Sequence, residues 1–476
     1  MLWLMFVPLI IVILCFIYII YTRITYDRFW IQQPVFHKYN LLYYFSSPQI
    51  IQIEQPSKNK YTNFSNIETV CFNKLEDPLW NKFLSMIQNK TGEAEQKQDV
   101  LPIFNSVLER SYISFYNEPV VFQNIEKGYY IDEKRPLGVI TSRPLRMFIK
   151  QSTNNTSIEL SVYYIDFLHV NKNKNKQEQK NITYELIQTH VYNQQLLNVH
   201  ASKNANKHVQ SGNGINTTDN KNIRVCLFKR SNTFNNIGVL PLCLYKSYVF
   251  SLKQYYFKRS IGASLTQSQN HFKHYQTFEV SKSTFHNVLD FIKEQHLDRY
   301  DVFILPNINN LFEQIISRTL IVYYLFDVVN GQIIAVYFFR INKRTITCVG
   351  SICYYDEVEK RSGRGNKNTE ELFIYGFKLI LLNLTEKKAL PTVLTGSKTK
   401  RDKYGANTNT MTESTEKEEY EFFCIENISD NSIIVDDLIK SSKNKSYLFY
   451  RTRETMYFLY NYIHKQCDSK HVFILQ

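Results

Sequence analysis

The chain has 476 residues, of which 44% are hydrophobic and 15% aromatic, with a formal charge of +14. That length can bury large cores and most simply makes two domains, and the aromatic content excludes a disordered chain. The positive charge admits nucleic acid, an anionic membrane surface or a phosphorylated ligand. It is scattered as Lys-Asn alternation, with no arginine-rich helix, zinc finger, helix-turn-helix or ribonucleoprotein-type aromatic motif, so no nucleic-acid partner is expected. The eight cysteines form no Cys-x-x-Cys pair, which fits a reducing compartment and no structural metal.

Residues 1–22 open the chain with an almost wholly apolar run, Met1 to Tyr21. About 20 such residues span a bilayer core. No basic residue precedes the run and no small-residue cleavage site ends it, so an uncleaved single-pass anchor is expected rather than a signal peptide. Arg23 and Arg28 follow it, which by the positive-inside rule leaves the remaining chain cytosolic. An aromatic arm without periodicity comes next, Arg28-Phe-Trp-Ile-Gln-Gln-Pro-Val-Phe-His-Lys38, within residues 26–50.

Pro78 to Ile87 has helical spacing. Gly128 to Ile131 and Val139 to Arg143 read as paired strands around a polar turn, Asp132 to Gly138. From Ile158 to Val170 the apolar residues alternate with period two, with Asp166 as the polar exception on the buried face, and this is a strand. Ile182, Leu186, Ile187 and Val191 then fall at helical spacing. Between strand and helix lies a loop with Lys172, Lys174, Lys176 and Lys180 against one acid, Glu178. Taken alone it is first a solvated surface loop. It is also a plausible anion cradle, because backbone N–H groups and a positive helix end meet there.

Ala201 to Asn222 reads as a flexible polar insertion (200–222), and Arg224 to Phe228 as a short strand. Ser283 to Leu297 is helical. Thr319 to Asp327, a turn at Asn330-Gly331 and Ile333 to Arg340 make a hairpin. Thr345 to Tyr355 is a strand, Glu370 to Leu384 an amphipathic helix, and Val393-Leu394 starts a strand. Residues 397–419 form a second polar insertion. Phe422 to Ile425, Tyr447 to Thr452 and Val472 to Gln476 are strands. The succession predicts an α+β chain with two similar halves, 60–254 and 255–476, although no repeat shows in the residues themselves.

Several of these stretches resemble the N-myristoyltransferase family. Phe29-Trp30-Ile-Gln-Gln33-Pro34-Val35 is similar to the family's Phe-Trp-x-x-Gln-Pro-Val. Leu137-Gly138-Val-Ile-Thr-Ser-Arg-Pro144 resembles its Leu-Val-Gly-Phe-Ile-Ser-x-x-Pro. Ile165-Asp166-Phe167-Leu168-His169-Val170 resembles Ile-Asn-Phe-Leu-Cys-Val-His. The following loop and helix keep the family's length, and the end Phe473-Ile-Leu-Gln476 is close to the family's terminus. The matches run from about Phe29 to Gln476, outside the apolar run.

The resemblance implies two acetyltransferase-like halves around a saddle-shaped mixed sheet. The first would hold myristoyl-CoA, as co-substrate with no permanently bound cofactor, and the second would supply much of a peptide groove. The reaction would move the acyl group from the thioester to an N-terminal glycine amine, and a monomer is expected. It further implies backbone N–H groups of Phe167 and Leu168 as an oxyanion hole, in a strand that must bulge to free them. The α-carboxylate of Gln476 would take the proton from the amine, whose ordinary pKa is near ~8. The apolar last five residues suit a buried end.

Phe29, Trp30, Lys172, Lys174, Lys176, Gln177 and Lys180 would contact acyl-CoA. Glu93, Glu95, Asp166, Lys229, Tyr245 and Tyr355 would contact the peptide. Departures from the family are plain: the basic loop has no arginine, and Lys gives point charges where Arg gives forks. Glu178 stands where the family has a base. Asp166 replaces Asn, and Ser441 to Lys445 lacks the acid of the family's last hairpin. The altered loop and Asp166 support a second reading, a degenerate relative that binds acyl chains or peptides without turnover; an acyltransferase with another chain length or acceptor, including lysine, is a third.

Overall fold

The chain forms two units that interleave along the sequence. The first comprises Met1–Lys246, Lys293–Thr319 and Arg453–Gln476, the second Ser247–Ile292 and Leu320–Thr452. The computed structural model describes residues 26–476 except 92–96, 125–128, 152–156, 210–222, 232–236, 253–260, 263–264, 267–270, 343, 356–366, 387–419 and 443–448, together with residues 13, 14, 16–18, 20 and 21. Residues 393–394 and 397–419 lie outside the described residues, as do 1–12, most of the expected anchor. The described residues from 13 to 21 are helical and exposed, and among the described residues no helix is long and apolar enough to cross a membrane.

In chain order the elements are α1 (Arg28–Ile31), α2 (Leu41–Phe45), β1 (Gln49–Ile50), β2 (Ile67–Cys71), α3 (Asp77–Thr91), α4 (Lys97–Phe104), β3 (Tyr112–Asn124), β4 (Tyr129–Lys150), β5 (Ser157–Val170), α5 (Lys176–Val209) and β6 (Val225–Ser231). There follow β7 (Cys243–Ser251), β8 (Tyr275–Glu279), α6 (Phe285–Arg299), β9 (Val302–Leu305), α7 (Ile308–Ile316), β10 (Ile321–Asp327), β11 (Gln332–Asn342) and β12 (Thr345–Cys353). The last are α8 (Lys367–Glu386), β13 (Phe422–Glu426), α9 (Asn431–Ser442), β14 (Phe449–Tyr460), β15 (Tyr462–Ile463) and β16 (Val472–Ile474).

In the first unit β2, β3, β4 and β5 make an antiparallel meander. Helix α5 then crosses over and returns the chain to β6, parallel to β5, as a parallel neighbour requires. The ladder extends through β6 to β14 on one side and from β4 through β9 to β16 on the other. Two apolar clusters cover it. One holds Ile140, Ile165, Leu186 and Val191 under α5; the other holds Phe83, Phe104, Phe115 and Val139 under α3 and α4. Gly138 lets α5 approach β4, because a Cβ there would meet Leu186 Cδ1 at 2.7 Å.

The second unit repeats the plan. Antiparallel β8, β10, β11 and β12 lead through α8 to β13, parallel to β12. The expected hairpin of β10 and β11 turns on Gly331, at φ +67°, with Asp327 Oδ1 accepting from the N–H groups of Val329 and Asn330 at 2.9 and 3.2 Å. The architecture is therefore α+β with mixed parallel and antiparallel pairing.

Three readings of the sequence need correction. Asp132 to Gly138 is no turn: β4 runs through it, and Asp132 to Arg135 pair with Glu118 to Val121 of β3. The insertion expected from 200 is helical to Val209, since α5 continues. Helix α7 was not foreseen, and its buried face joins Asn310 and Gln314 to Leu311 and Ile315. Asn310 Nδ2 donates to the carbonyls of Ile103 and Asn105 at 3.1 and 2.6 Å, and Gln314 Nε2 to Asn310 Oδ1 at 2.8 Å.

Candidate active site

The pairing of β5 holds one irregularity. Val139 is opposite His169 and Thr141 opposite Asp166, so Phe167 and Leu168 together face Ile140. Two residues against one is a bulge, which removes both from the regular ladder. Phe167 has φ +47°, the left-handed region that a bulky L-residue occupies only when its surroundings impose it. The imposing contacts are visible. The ring of Phe167 packs on Phe83 at 5.4 Å and on Phe104 at 6.2 Å, and Thr141 Oγ1 donates to the Asp166 carbonyl at 3.1 Å.

Just before the bulge the parallel neighbour departs. Val162 to Ile165 pair with Val225 to Phe228, whereas Lys229 to Ser231 pair only with β14, which also flanks Cys226 to Phe228. A wedge therefore opens between β5 and β6 beside the bulge, and β5 leads on to the N-terminus of α5. Asn175 caps that helix, its Oδ1 accepting from the Glu178 N–H at 2.8 Å. The loop is held in shape by Asn171 Oδ1, which accepts from the Asn173 N–H at 3.1 Å. Lys172, Lys176, Gln177 and Lys180 are exposed there.

The expected acyl-CoA lysines are not equivalent. Lys174 lies 2.9 Å from Glu118 and Lys180 2.8 Å from Asp27. Asp27 also accepts from the Tyr184 hydroxyl and, through Oδ1, from the Phe29 N–H at 3.0 Å. Burial would raise the Asp27 pKa, yet these bonds outweigh it and hold the carboxyl below its usual value. Gln177 Nε2 donates to Asn181 Oδ1 at 3.2 Å, along the helix surface.

The arm is consequently clamped to α5. Phe29 and Trp30 are 0% and 2% exposed. Phe29 stacks on Tyr184 at 4.3 Å, and Trp30 meets Phe228 and Phe458 edge-on at 6.1 and 5.3 Å. Their rings are spent on the core, so their bearing on a ligand is to fix the wedge wall. Arg230, which sequence reasoning passed over, sits beside Asp27 and Tyr184, and burial lowers its pKa. It supplies an arginine that the loop lacks, and its neighbours from the arm and α5 leave no local signal of it.

Lys229, on the opposite face of β6, lies over the Tyr457 ring at 5.4 Å, and Tyr457 stacks on Tyr245 at 5.7 Å. The structure thus joins Lys229 and Tyr245 through Tyr457. Tyr355 belongs to the core of the second unit, 7% exposed. Glu93 and Glu95 lie outside the described residues. Asp166 turns inward on its own backbone: its Oδ1 accepts from the Phe167 N–H at 2.8 Å.

The C-terminal strand is buried. Val472, Phe473, Ile474 and Leu475 are at most 3% exposed, and the Leu475 N–H donates to the Ile304 carbonyl at 2.8 Å. Gln476 is half-buried at its end. In the sheet order β16, β9, β4, β5, two strands lie between it and the bulge, so the ladder alone does not bring the two together. Among the described residues no cluster of His, Cys, Asp and Glu could hold a metal ion.

Chemically, a wedge beside a bulged strand that runs on to a positive helix terminus suits a carbonyl and phosphates, with the Phe167 N–H held by the Asp166 carboxylate in this structure. No protein-family description and no curated protein sequence matches the chain. Solved structures do. A Saccharomyces cerevisiae N-myristoyltransferase with bound myristoyl-CoA aligns over 94% of this chain and 99% of its own, at 10% identity and a TM-score of 0.54. A second structure of that enzyme with myristoyl-CoA and inhibitors aligns over 95% and 94%, and a third with myristoyl-CoA over 95% and 95%, each at 10% identity and TM-score 0.55. The chain has the fold of the yeast N-myristoyltransferase structures over nearly its whole length.

Proposed function

We propose that the protein is an acyl-CoA-dependent N-acyltransferase, and specifically one that moves a myristoyl group to the N-terminal glycine amine of proteins. The observation that carries this is the bulge at Phe167–Leu168 beside the open β5–β6 wedge. The amine nitrogen attacks the thioester carbonyl and forms the C–N bond. The carbonyl oxygen gathers charge, which the Phe167 and Leu168 N–H groups stabilise. The C–S bond then breaks, and the thiolate of CoA leaves as the amine nitrogen gives up its proton. Lys172, Lys176 and Arg230 favour the CoA phosphates at the helix end. The Gln476 α-carboxylate is the proton acceptor in this reading, supported by the burial of the strand that carries it. The apolar residues 1–22 anchor the chain in a membrane with its catalytic units cytosolic.

A second reading rests on a specific contact. Asp166 occupies the Phe167 N–H, so a protein that binds acyl-CoA and peptide without turnover is its competitor. Myristoyl-CoA incubated with a Gly-initiated peptide separates them. Release of free CoA with an acylated peptide supports the transferase, whereas acyl-CoA binding without release supports the binder. Palmitoyl-CoA and a lysine-containing acceptor peptide, run in parallel, test an altered chain length or acceptor. Extending the chain beyond Gln476 removes the free carboxylate at that position. It should abolish turnover and leave acyl-CoA affinity within a few fold, and full activity would refute the assignment of the base.

A further inference from the structure

A short stretch of the first unit shows water a face that the fold has no use for. In α2 the side chains of Leu41, Leu42 and Phe45 are 67%, 75% and 89% exposed. The helix is nevertheless firmly seated. Asn40 Oδ1 accepts from the Leu42 N–H at 3.1 Å, and Phe36 packs edge-on against Tyr43 and Tyr44 at 5.6 and 5.0 Å. Tyr43 and Tyr44 thus hold the helix down while Leu41, Leu42 and Phe45 face out. Three large apolar groups in one turn are more than scattered surface residues.

What covers them is indicated by the neighbours. Tyr18, in the exposed helical residues that end the apolar run, donates its hydroxyl to the Tyr39 carbonyl at 2.9 Å. Tyr26 stacks on Tyr39 at 5.4 Å. The apolar run and α2 therefore meet at one place, ringed by tyrosines. Arg28 and Lys38 are exposed beside it. Outward apolar groups bordered by tyrosines and cations are the composition of a membrane interface, where tyrosine sits at headgroup depth and cations meet lipid phosphates.

From this we infer that α2 is a second membrane contact, with Leu41, Leu42 and Phe45 inserted at the headgroup–acyl boundary of an anionic bilayer. The inference rests on the anchored reading for its orientation but concerns a different segment. It gives the anchored protein a fixed attitude, because two points of attachment remove the free tumbling that one flexible tether leaves.

The test uses the full chain in phosphatidylcholine–phosphatidylserine vesicles, with an environment-sensitive fluorophore on Phe45→Cys and the unsubstituted protein as labelling background. The expected result is blue-shifted emission that a headgroup-proximal lipid quencher largely extinguishes. The same label on Lys470→Cys, at an exposed site, should stay unquenched. Adding Leu41→Ser and Leu42→Ser should lower the quenching severalfold. An unquenched Phe45→Cys label on vesicle-bound protein overturns the inference, as does quenching that both serines leave unchanged. Efficient cross-linking of Phe45→Cys between copies, in place of quenching, would make a second copy the occupant and also overturn it. Loss of the protein from vesicles in an alkaline carbonate wash would instead refute the anchor, and the label on the protein before that wash would still decide the role of α2.

Discussion

The backbone at Phe167 makes a prediction whose sign is unusual. In a regular strand glycine is less stable than alanine by roughly 0.5–1 kcal/mol, because it loses more freedom on folding. At φ +47° alanine carries instead a left-handed penalty of roughly 1–2 kcal/mol, from which glycine is exempt. Phe167→Ala and Phe167→Gly both lose the contacts with Phe83 and Phe104. For a half-buried ring that loss is about 2 kcal/mol in each. The difference between the variants then isolates the backbone, and Phe167→Gly should be the more stable by about 0.5–1 kcal/mol. For a unit of this size that is a midpoint about 2 °C higher in thermal unfolding. Both variants free the bulge from its aromatic support and should lower turnover by about 100-fold, the usual consequence of displacing one oxyanion donor. Acyl-CoA affinity should change far less. If Phe167→Ala proves the more stable of the two, residue 167 lies in ordinary extended backbone and the proposed oxyanion hole loses its geometric basis.

Other perturbations test neighbouring parts of the argument. Asp166→Asn keeps the hydrogen bond to the Phe167 N–H but removes the charge, and should raise the single-turnover acyl-transfer rate severalfold; an unchanged rate would show that the carboxylate does not compete for that donor. Lys180→Met should loosen the arm from α5, with a stability loss of about 0.5–1 kcal/mol given the half-exposed lysine. The Asp27 carboxyl is held below its usual range, so its stabilisation is present at neutral pH and is lost as pH falls through the folded-state value. The difference between Lys180→Met and the parent, followed by unfolding, should therefore shrink in acid. His190 is fully buried with Nδ1 2.8 Å from Ser114 Oγ, and burial lowers its pKa to about 3. The unfolded chain binds that proton near pH 6.5 and the folded one does not, so stability falls between pH 6.5 and about 3, by up to about 1.4 kcal/mol per pH unit. His190→Asn should flatten that acid limb even though it lowers stability at pH 7, and an unaltered slope would assign the acid sensitivity elsewhere.

What the sequence made legible was whatever periodicity encodes. The strand Ile158 to Val170 was legible as a strand but its buried face was not: Val162 to Ile165 are buried on both sides, and Tyr163 and Ile165 rather than Val162 and Tyr164 pack with the helical stripe Ile182, Leu186, Ile187 and Val191. The burial of Val472 to Leu475 was legible from their apolar run. The bulge was not, because no local rule puts phenylalanine at positive φ. It follows from rings on α3 and α4 that are distant in the chain. The family resemblance led to that position where pattern alone would have continued the strand. Arg230 escaped notice because its partners Asp27 and Tyr184 come from the arm and from α5.

The interleaving of the units has a consequence for how the protein is made. The strand that closes one edge of the first unit comes from residues 453–476, after all of the second unit has been synthesised. The half that emerges first from the ribosome is therefore the half that must wait. Its β9 is left without its β16 neighbour until the last segment arrives. Chaperone protection of a half-made molecule would fall on that open edge, and a translation pause shortly before residue 453 would prolong its exposure.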